Sequence, residues 1–509
     1  MAQALSESPW QPLRRQMGYD VERREYEAVP TQTTVCCYCC YRHGADGEPT
    51  WLFACTPCRL CVIGFCGLLL LLLSTEAAVG MLAAQGFVRK HRLFEQNLTS
   101  CQLSAKQLAE GDLFCPTGRG PIRAPHNMTT TMWFPGCTST YLIEEMAAYN
   151  SGHEWELVTF PSRQGDANQE TAQLDAWWLP AEDTEAPRIV IVHGNNKNFN
   201  DWTVQLSAYM LRSMGFAVLV PNLRNHGSSG SEGDGSKVTW GWSYHLDVLG
   251  SWDYAVNDPH GKLGGTMHSW KVGLQGYGMG GFAAMVASGL EPNIPGVFLD
   301  SPIFDPKDLL LFSLRRILGP LAPAFVDIAW LLANKLAGAD LGHYTMASAV
   351  DLRSPVPDPP LRKTRDGYDC KAGYFNWKKG WSRSKKEACC KALGVACPRC
   401  RVAIVADLSD VGVPAPQADK LLENLRSKSA EESYEVAFRF EADARCGAED
   451  HLALAAWTAD IYRQRLCEFW VATFDLSVEV CGISELPHFA TDVGATKGWT
   501  DKPVGPLFG

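Results

Sequence analysis

The chain has no surplus of positive charge. Its 46 lysines and arginines face 56 aspartates and glutamates, a formal net charge of −10 over 509 residues. Nucleic-acid binders hold phosphates with clustered Lys and Arg, so the sequence argues against a nucleic-acid partner. No unit of about 20–50 residues recurs, which removes solenoids and propellers from consideration. A cleaved signal peptide is not the expected reading, because roughly 60 mostly polar residues precede the first long apolar run. Cysteine is plentiful at 19 residues, but its distribution is uneven. Eight fall within 36–66 and five between Cys370 and Cys400, so one redox environment for the whole chain is not expected.

The most informative absence is one side chain. Lys271–Ala284 reads KVGLQGYGMGGFAA: an apolar run, a glycine-rich turn, then a small-residue helix start. This is the pattern of a nucleophile elbow, G-x-S-x-G, in which a strained strand-to-helix turn exposes a serine hydroxyl. Here the five residues are Gly276-Tyr277-Gly278-Met279-Gly280, and glycine stands at the nucleophile position. No serine, cysteine or aspartate lies one or two places away. Glycine forms no acyl-enzyme, and it accepts φ > 0 without penalty.

What is present begins with a membrane signal. Leu60–Thr75 carries no charge and contains six consecutive leucines, Leu68–Leu73, and the sequence stays mostly apolar until Arg89. This meets the ~20 residues needed to cross a bilayer, and reads as a signal anchor over 60–84 after a cysteine-rich tail, 1–59. Arg89, Lys90 and Arg92 lean toward a cytosolic C-terminal part by the positive-inside rule. Two features oppose that reading. Asn97 and Asn127 begin glycosylation tripeptides, useful only in a lumen. Cys36, Cys37, Cys39 and Cys40 suit cytosolic S-acylation near a span. Together they predict a type II single-pass protein with its main domain lumenal or extracellular, and membrane lipid as a partner.

After a stalk, 85–150, the segment 151–480 alternates strand-like and helix-like runs, the signature of a mostly parallel α/β sheet. WELVTF and AWWLP read as a leading antiparallel pair; RIVIVHG, FAVLVPNL, VGLQG, GVFLDSP and RVAIVADLSD read as buried strands. Several landmarks follow these runs in order: HGNNKN at His193–Asn198, PNLRNHGSSG, the elbow, LDSP at Leu299–Pro302, ADLSDVGVP at Ala406–Pro414, and AEDHLALA around His451. In this the sequence resembles the α/β-hydrolase family, notably its single-pass membrane-anchored serine-hydrolase branch. The resemblance implies an α/β-hydrolase fold with a helical lid and one N-terminal transmembrane helix. It implies a triad position at Gly278, an acid at Asp410 and a base at His451, with Asp300 a second possible acid. Oxyanion donors would be the backbone N–H groups of Asn195 and Met279. His193 and His226 fit loop-stabilising roles, and Asn222 replaces an acid in the family's D-x-R-x-H-G-x-S loop.

Two appendages interrupt that pattern. The segment 305–348 carries amphipathic helical runs placed to cap the crevice; Arg315, Arg316 and Pro320 speak against a second membrane span. The insert 361–400 resembles a small Trp/Cys module, expected on the face opposite the crevice. Its cysteines suit two disulfides with one left over, and it holds no histidine within Asp369–Cys400 to complete a mixed zinc site. The tail 481–509 reads as irregular. No metal or cofactor is called for. Three functions compete: a pseudohydrolase that binds an apolar or acyl small molecule, an ester hydrolase using a water activated by His451 or a displaced nucleophile, and a membrane scaffold.

Overall fold

Buried parallel strands read as continuous apolar runs, and those runs form the sheet they predict. The computed structural model describes residues 41–43, 49–51, 56–89, 156–165, 169–199, 201–233, 235–353, 364, 367–373, 380–393, 399–408, 410, 412–429, 434–442, 459–477 and 481. The chain divides into two units, Met1–Ser74 and Thr75–Gly509. In the first, β1 (Tyr41–His43) and β2 (Pro49–Trp51) make a short antiparallel pair. A long helix, α1 (Thr56–Val88), starts there and continues into the second unit. It extends past the predicted 60–84 because the apolar pattern persists to Val88. Cys36, Cys37, Cys39, Cys40, Asn97, Asn127 and His451 lie outside the described residues.

The second unit is built on eight strands: β3 (Glu156–Pro161), β4 (Gln173–Leu179), β5 (Arg188–Val192), β6 (Ala217–Pro221), β7 (Val272–Tyr277), β8 (Gly296–Asp300), β9 (Cys400–Asp407) and β10 (Tyr434–Ala442). Their order is β10-β9-β8-β7-β5-β6-β4-β3; β4 pairs antiparallel with both β3 and β6, and every other neighbouring pair is parallel. The chain passes from β5 to β6 on one side, then crosses to place β7 on the other side of β5. Such a reversal opens a crevice at the carboxyl ends of the two strands beside it. The turns after β5 and β7 therefore line the functional edge.

Helices cover both faces. On one lie α2 (Trp202–Ser213) and α10 (Ala459–Phe474), packing Tyr209, Leu466 and Trp470 against Ile189, Ile191 and Phe298. On the other lie α3 (Tyr244–Asn257), α4 (Met279–Leu290), α7 (Met346–Leu352) and α9 (Pro416–Ser429), over Val190, Leu274 and Leu299. Local chemistry starts these helices where the sequence allows: the Asp201 carboxylate accepts from the Thr203 N–H at the head of α2.

The predicted lid is a helical hairpin, α5 (Pro306–Leu318) and α6 (Ala322–Ala337). Asp305 caps α5 and Pro306 occupies its first turn. The turn Gly319–Leu321 breaks the run, with Gly319 at φ 55°. The two helices fold back on each other through Leu310, Leu314, Val326 and Ala329, and Lys307 pairs with Asp327 at 2.7 Å. Pro306–Ala337 is apolar and long enough to cross a membrane by length and composition, as is Gly64–Val88. Folded into a hairpin, its two arms are each too short to cross: 13 and 16 residues at ~1.5 Å rise span less than ~30 Å.

The insert contributes α8 (Arg383–Leu393), tied by the Cys370–Cys389 disulfide, and Cys390 is disulfide-bonded as well. Cys400 is left over as a free buried thiol. A second disulfide outside the insert, Cys467–Cys481, joins α10 to the segment after it. The insert docks at the amino end of β7, where Glu387 accepts from Ser269 Oγ at 2.7 Å and meets His268 Nε2 at 2.7 Å. That is the face opposite the crevice. Burial alone would raise the Glu387 pKa, but the bonds from His268 and Ser269 outweigh it and hold it below the ordinary carboxylate value. A depressed pKa stabilises above the unfolded value and is lost as pH falls through the folded one. Hydrogen exchange over 383–393 should therefore accelerate as pH falls below the ordinary carboxylate range, and Glu387→Gln should remove that acid step. An unchanged acid step in the variant would rule the contact out as its cause.

Candidate active site

Three glycines make the elbow possible, each for a separate steric reason. Gly278 joins β7 to α4 at φ 50°, ψ −110°, a conformation that L side chains rarely adopt. A Cβ on Gly280 would stand 2.3 Å from the carbonyl oxygen of His193 and 2.4 Å from that of Val192. A Cβ on Gly276 would stand 2.5 Å from the Gly280 oxygen. The start of α4 thus presses against the end of β5, in keeping with the Val192–Gly276 register. Backbone contact of this kind needs small residues on both sides of the turn.

The turn is also pinned by hydrogen bonds. Gly278 N–H donates to the Asp300 carbonyl at 2.9 Å, and the Gly278 carbonyl accepts from Phe282 N–H at 3.0 Å. Met279 N–H, next in line, begins α4 and meets no acceptor among the described residues. The same holds for Asn195 N–H in the turn after β5. These are the two donors predicted from sequence, both backbone groups and both independent of the side chain at 278. An anion at the head of α4 would also gain from the helix dipole.

Tyr277 and Met279 turn away from the crevice. The Tyr277 hydroxyl is fully buried among Ser207, Gln275 and Tyr462, and burial, helped by Asp300, pushes its pKa far up. Tyr462 donates in turn to Asp300 Oδ2 at 2.9 Å, while Ser301 Oγ donates to Asp300 Oδ1 at 3.2 Å. Asp300, the second acid considered, is fully buried and engaged in this network beneath the elbow.

Asp410 lies beyond the end of β9, two strands from the elbow. Its Oδ1 accepts from Gly412 N–H at 2.7 Å and Val413 N–H at 2.8 Å, and its own N–H donates to the Asp407 carbonyl. The side chain thereby folds the D-x-x-V-P turn around itself and is fixed in place.

The loops beneath explain why other polar residues sit where they do. His193 Nδ1 bonds the Gly194 carbonyl at 2.8 Å and its Nε2 accepts from Leu223 N–H at 3.0 Å, tying the turns after β5 and β6 together. Asn222 accepts from Phe199 N–H at 2.8 Å and so holds the loop after β5. His226 bonds the Arg224 carbonyl at 2.9 Å. The histidines at 193 and 226 are loop braces, as the sequence indicates.

Two features were not anticipated. Arg224 and Asp247, both fully buried, form an ion pair at 2.8 Å, with Asp247 also accepting from Arg224 Nε and backbone N–H. Burial opposes the charge on Arg224, but the Asp247 carboxylate outweighs it and raises the guanidinium pKa. For Asp247 burial dominates over the pull of Arg224 and raises the carboxyl pKa. Every bond between the two runs from an Arg224 N–H to an Asp247 oxygen, the pattern of an ionised carboxylate. The signal was an arginine in RNHG and an aspartate in the first turn of the largely buried helix α3. The second feature is His245, whose ring meets Tyr344 edge-on at 4.8 Å. Burial, with Arg224 and His343 adding, pushes it down to about 3, so it stays neutral.

A cavity of about 830 Å³ opens between the loop after β6 and the end of α6, lined by Glu170, Glu232, Lys237, Trp242, Asn334 and Asp340 among others. Neither Gly278 nor Asp410 lines it, so it is distinct from the elbow crevice.

The family described as alpha/beta hydrolase fold matches residues 187–329, the stretch from β5 through most of the lid. The fold is an α/β-hydrolase fold. Among solved structures, the chain is similar to the Pyrococcus furiosus esterase Pf2001, at 14% identity and TM-score 0.39, covering 64% of this chain and 94% of that one. It is also similar to the alpha/beta hydrolase GrgF of a Penicillium species, at 14% identity and TM-score 0.37, covering 64% and 100%. The acylaminoacyl peptidase of Pyrococcus horikoshii is similar at 14% identity and TM-score 0.38, covering 66% and 45%. No curated protein matches the chain.

Proposed function

We propose that this is a membrane-anchored pseudohydrolase that binds an apolar acyl ligand in an elbow crevice without attacking it. The observation that carries the reading is Gly278: the turn has the backbone conformation of a nucleophile elbow and no atom to act as nucleophile. Two open N–H donors at Asn195 and Met279 supply a cradle for a carbonyl or carboxylate oxygen. The apolar lid suits an acyl chain. Support for a lumenal or extracellular main domain comes from Cys370–Cys389 and Cys467–Cys481, since disulfides persist in oxidising compartments. In this reading α1 is the signal anchor, Asn97 and Asn127 are glycosylated, and Cys36, Cys37, Cys39 and Cys40 carry acyl chains.

A second reading is favoured by the same intact donors. A site without its nucleophile keeps roughly 10³–10⁴-fold catalysis over water from the oxyanion hole and binding. A water activated by His451, itself oriented by Asp410, would then hydrolyse an activated ester slowly.

A diazirine-bearing fatty-acyl probe separates these readings when applied to the full-length protein in detergent. We expect adducts on the peptides around His193–Asn195 and the lid, competed by palmitate, and no ester turnover above background. Turnover that vanishes in His451→Ala would favour hydrolysis. Adducts that palmitate does not displace would leave a scaffold as the remaining function.

A further inference from the structure

The end of α1 does not hang free below the domain. Within the second unit, Gly80, Ala84 and Val88 are buried at a spacing of four, one stripe of the helix. A Cβ on Gly80 would lie 2.9 Å from Ile328 of α6, so the glycine allows close approach to the lid. Ala83 joins the apolar cluster of the lid hairpin. Phe87 stacks on Trp240 at 4.8 Å and meets Trp330 of α6 edge-on at 6.2 Å. Finally, Val238 N–H donates to the Val88 carbonyl at 2.9 Å, and Arg89 bridges Lys237. The last turns of the helix are fixed to the lid by side chains and to the loop after β6 by backbone.

The far end of the lid has the opposite character. At the hairpin tip, Ile317 is 80% exposed and Leu321 64% exposed, with Arg315 exposed beside them. Large aliphatic side chains this open, grouped with a cation, fit neither a core nor an ordinary wetted tip. Apolar side chains flanked by basic ones are the composition of segments that lie in a bilayer interface.

We infer that the α5–α6 tip is a membrane-contact surface, with Ile317 and Leu321 among the acyl chains and Arg315 at the phosphates of a phospholipid bilayer. The inference rests on the reading of α1 as a membrane anchor. At ~1.5 Å per residue, a helix entering the bilayer near Gly64 fills ~30 Å of hydrocarbon by about residue 84. Gly80–Val88 then straddle the edge of the hydrocarbon, and whatever is fixed to them is held at that depth. The lid is so fixed. Its hairpin is thus held against the leaflet, which lets an apolar ligand pass beneath the lid without crossing water.

The test uses the full-length protein in phosphatidylcholine vesicles whose acyl chains carry an alkyne tag. Leu321, Ile317, Leu71 and Lys385 are each replaced in turn by a benzoylphenylalanine photocrosslinker. Lys385 belongs to the insert on the opposite face and serves as the aqueous control; the Cys370–Cys389 disulfide reports that each variant folds. We expect tagged lipid on positions 321, 317 and 71, and none on 385. Lipid at 71 but at neither 317 nor 321 would overturn the lid contact while leaving the anchor standing. Lipid at none of the three would overturn both. Crosslinks from 317 and 321 to protein instead of lipid would also overturn the proposal.

Discussion

Gly278→Ser should yield a chain that a fluorophosphonate probe labels at position 278. The elbow conformation already exists, at φ 50° and ψ −110°, and the N–H groups of Met279 and Asn195 meet no acceptor among the described residues. On the proposed triad, a serine placed there would take His451 as its base, oriented by Asp410. Removing the nucleophile of a working triad lowers kcat by about 10⁶, so even partial alignment should raise ester hydrolysis on the order of 10²-fold or more. The same substitution forces an L side chain into a strained region and should lower stability by about 1–3 kcal/mol. The two readouts check each other. A variant that is destabilised as expected yet remains silent toward the probe would mean that the base and acid are not aligned with the turn.

Asp247→Ala should be the most destabilising single change among the residues described. It leaves the Arg224 guanidinium fully buried with its main partner gone, and breaking a buried pair from one side typically removes about 3–5 kcal/mol. The thermal midpoint should fall by about 3–5 °C in a unit of this size. The loss should reach the site as well, because Arg224 organises the loop that carries Asn222 and His226. A shift of a degree or two would mean that Glu232, already 3.7 Å from Arg224, takes over as counter-ion.

Much of this fold is legible in the residues because its strands are buried on both faces. Runs such as RIVIV and GVFLD have no alternation to confuse them, and each ends in a turn with its own chemistry. β10 escaped notice for the opposite reason. Its sequence, YEVAFRFEA, alternates apolar and polar residues and so lacks the continuous apolar run of the other parallel strands. The elbow was readable because glycine positions record backbone approach: Gly276 and Gly280 are small because the main chains touch. The Arg224–Asp247 pair and the Cys467–Cys481 bridge were not readable, since each joins segments whose proximity only the tertiary structure creates. The docking of α1 on the lid was hidden as well. Its stripe of small residues, Gly80 and Ala84, is indistinguishable in sequence from any lipid-facing helix.

That stripe has a practical consequence. Trimming the chain at the apparent end of its hydrophobic segment, to obtain a water-soluble fragment, would pull a plug out of the folded body. Trp240 and Trp330 would lose Phe87, and Val238 would lose its backbone acceptor. A soluble version should instead keep residues 80–89 and polarise only their outward side, beginning with Leu82.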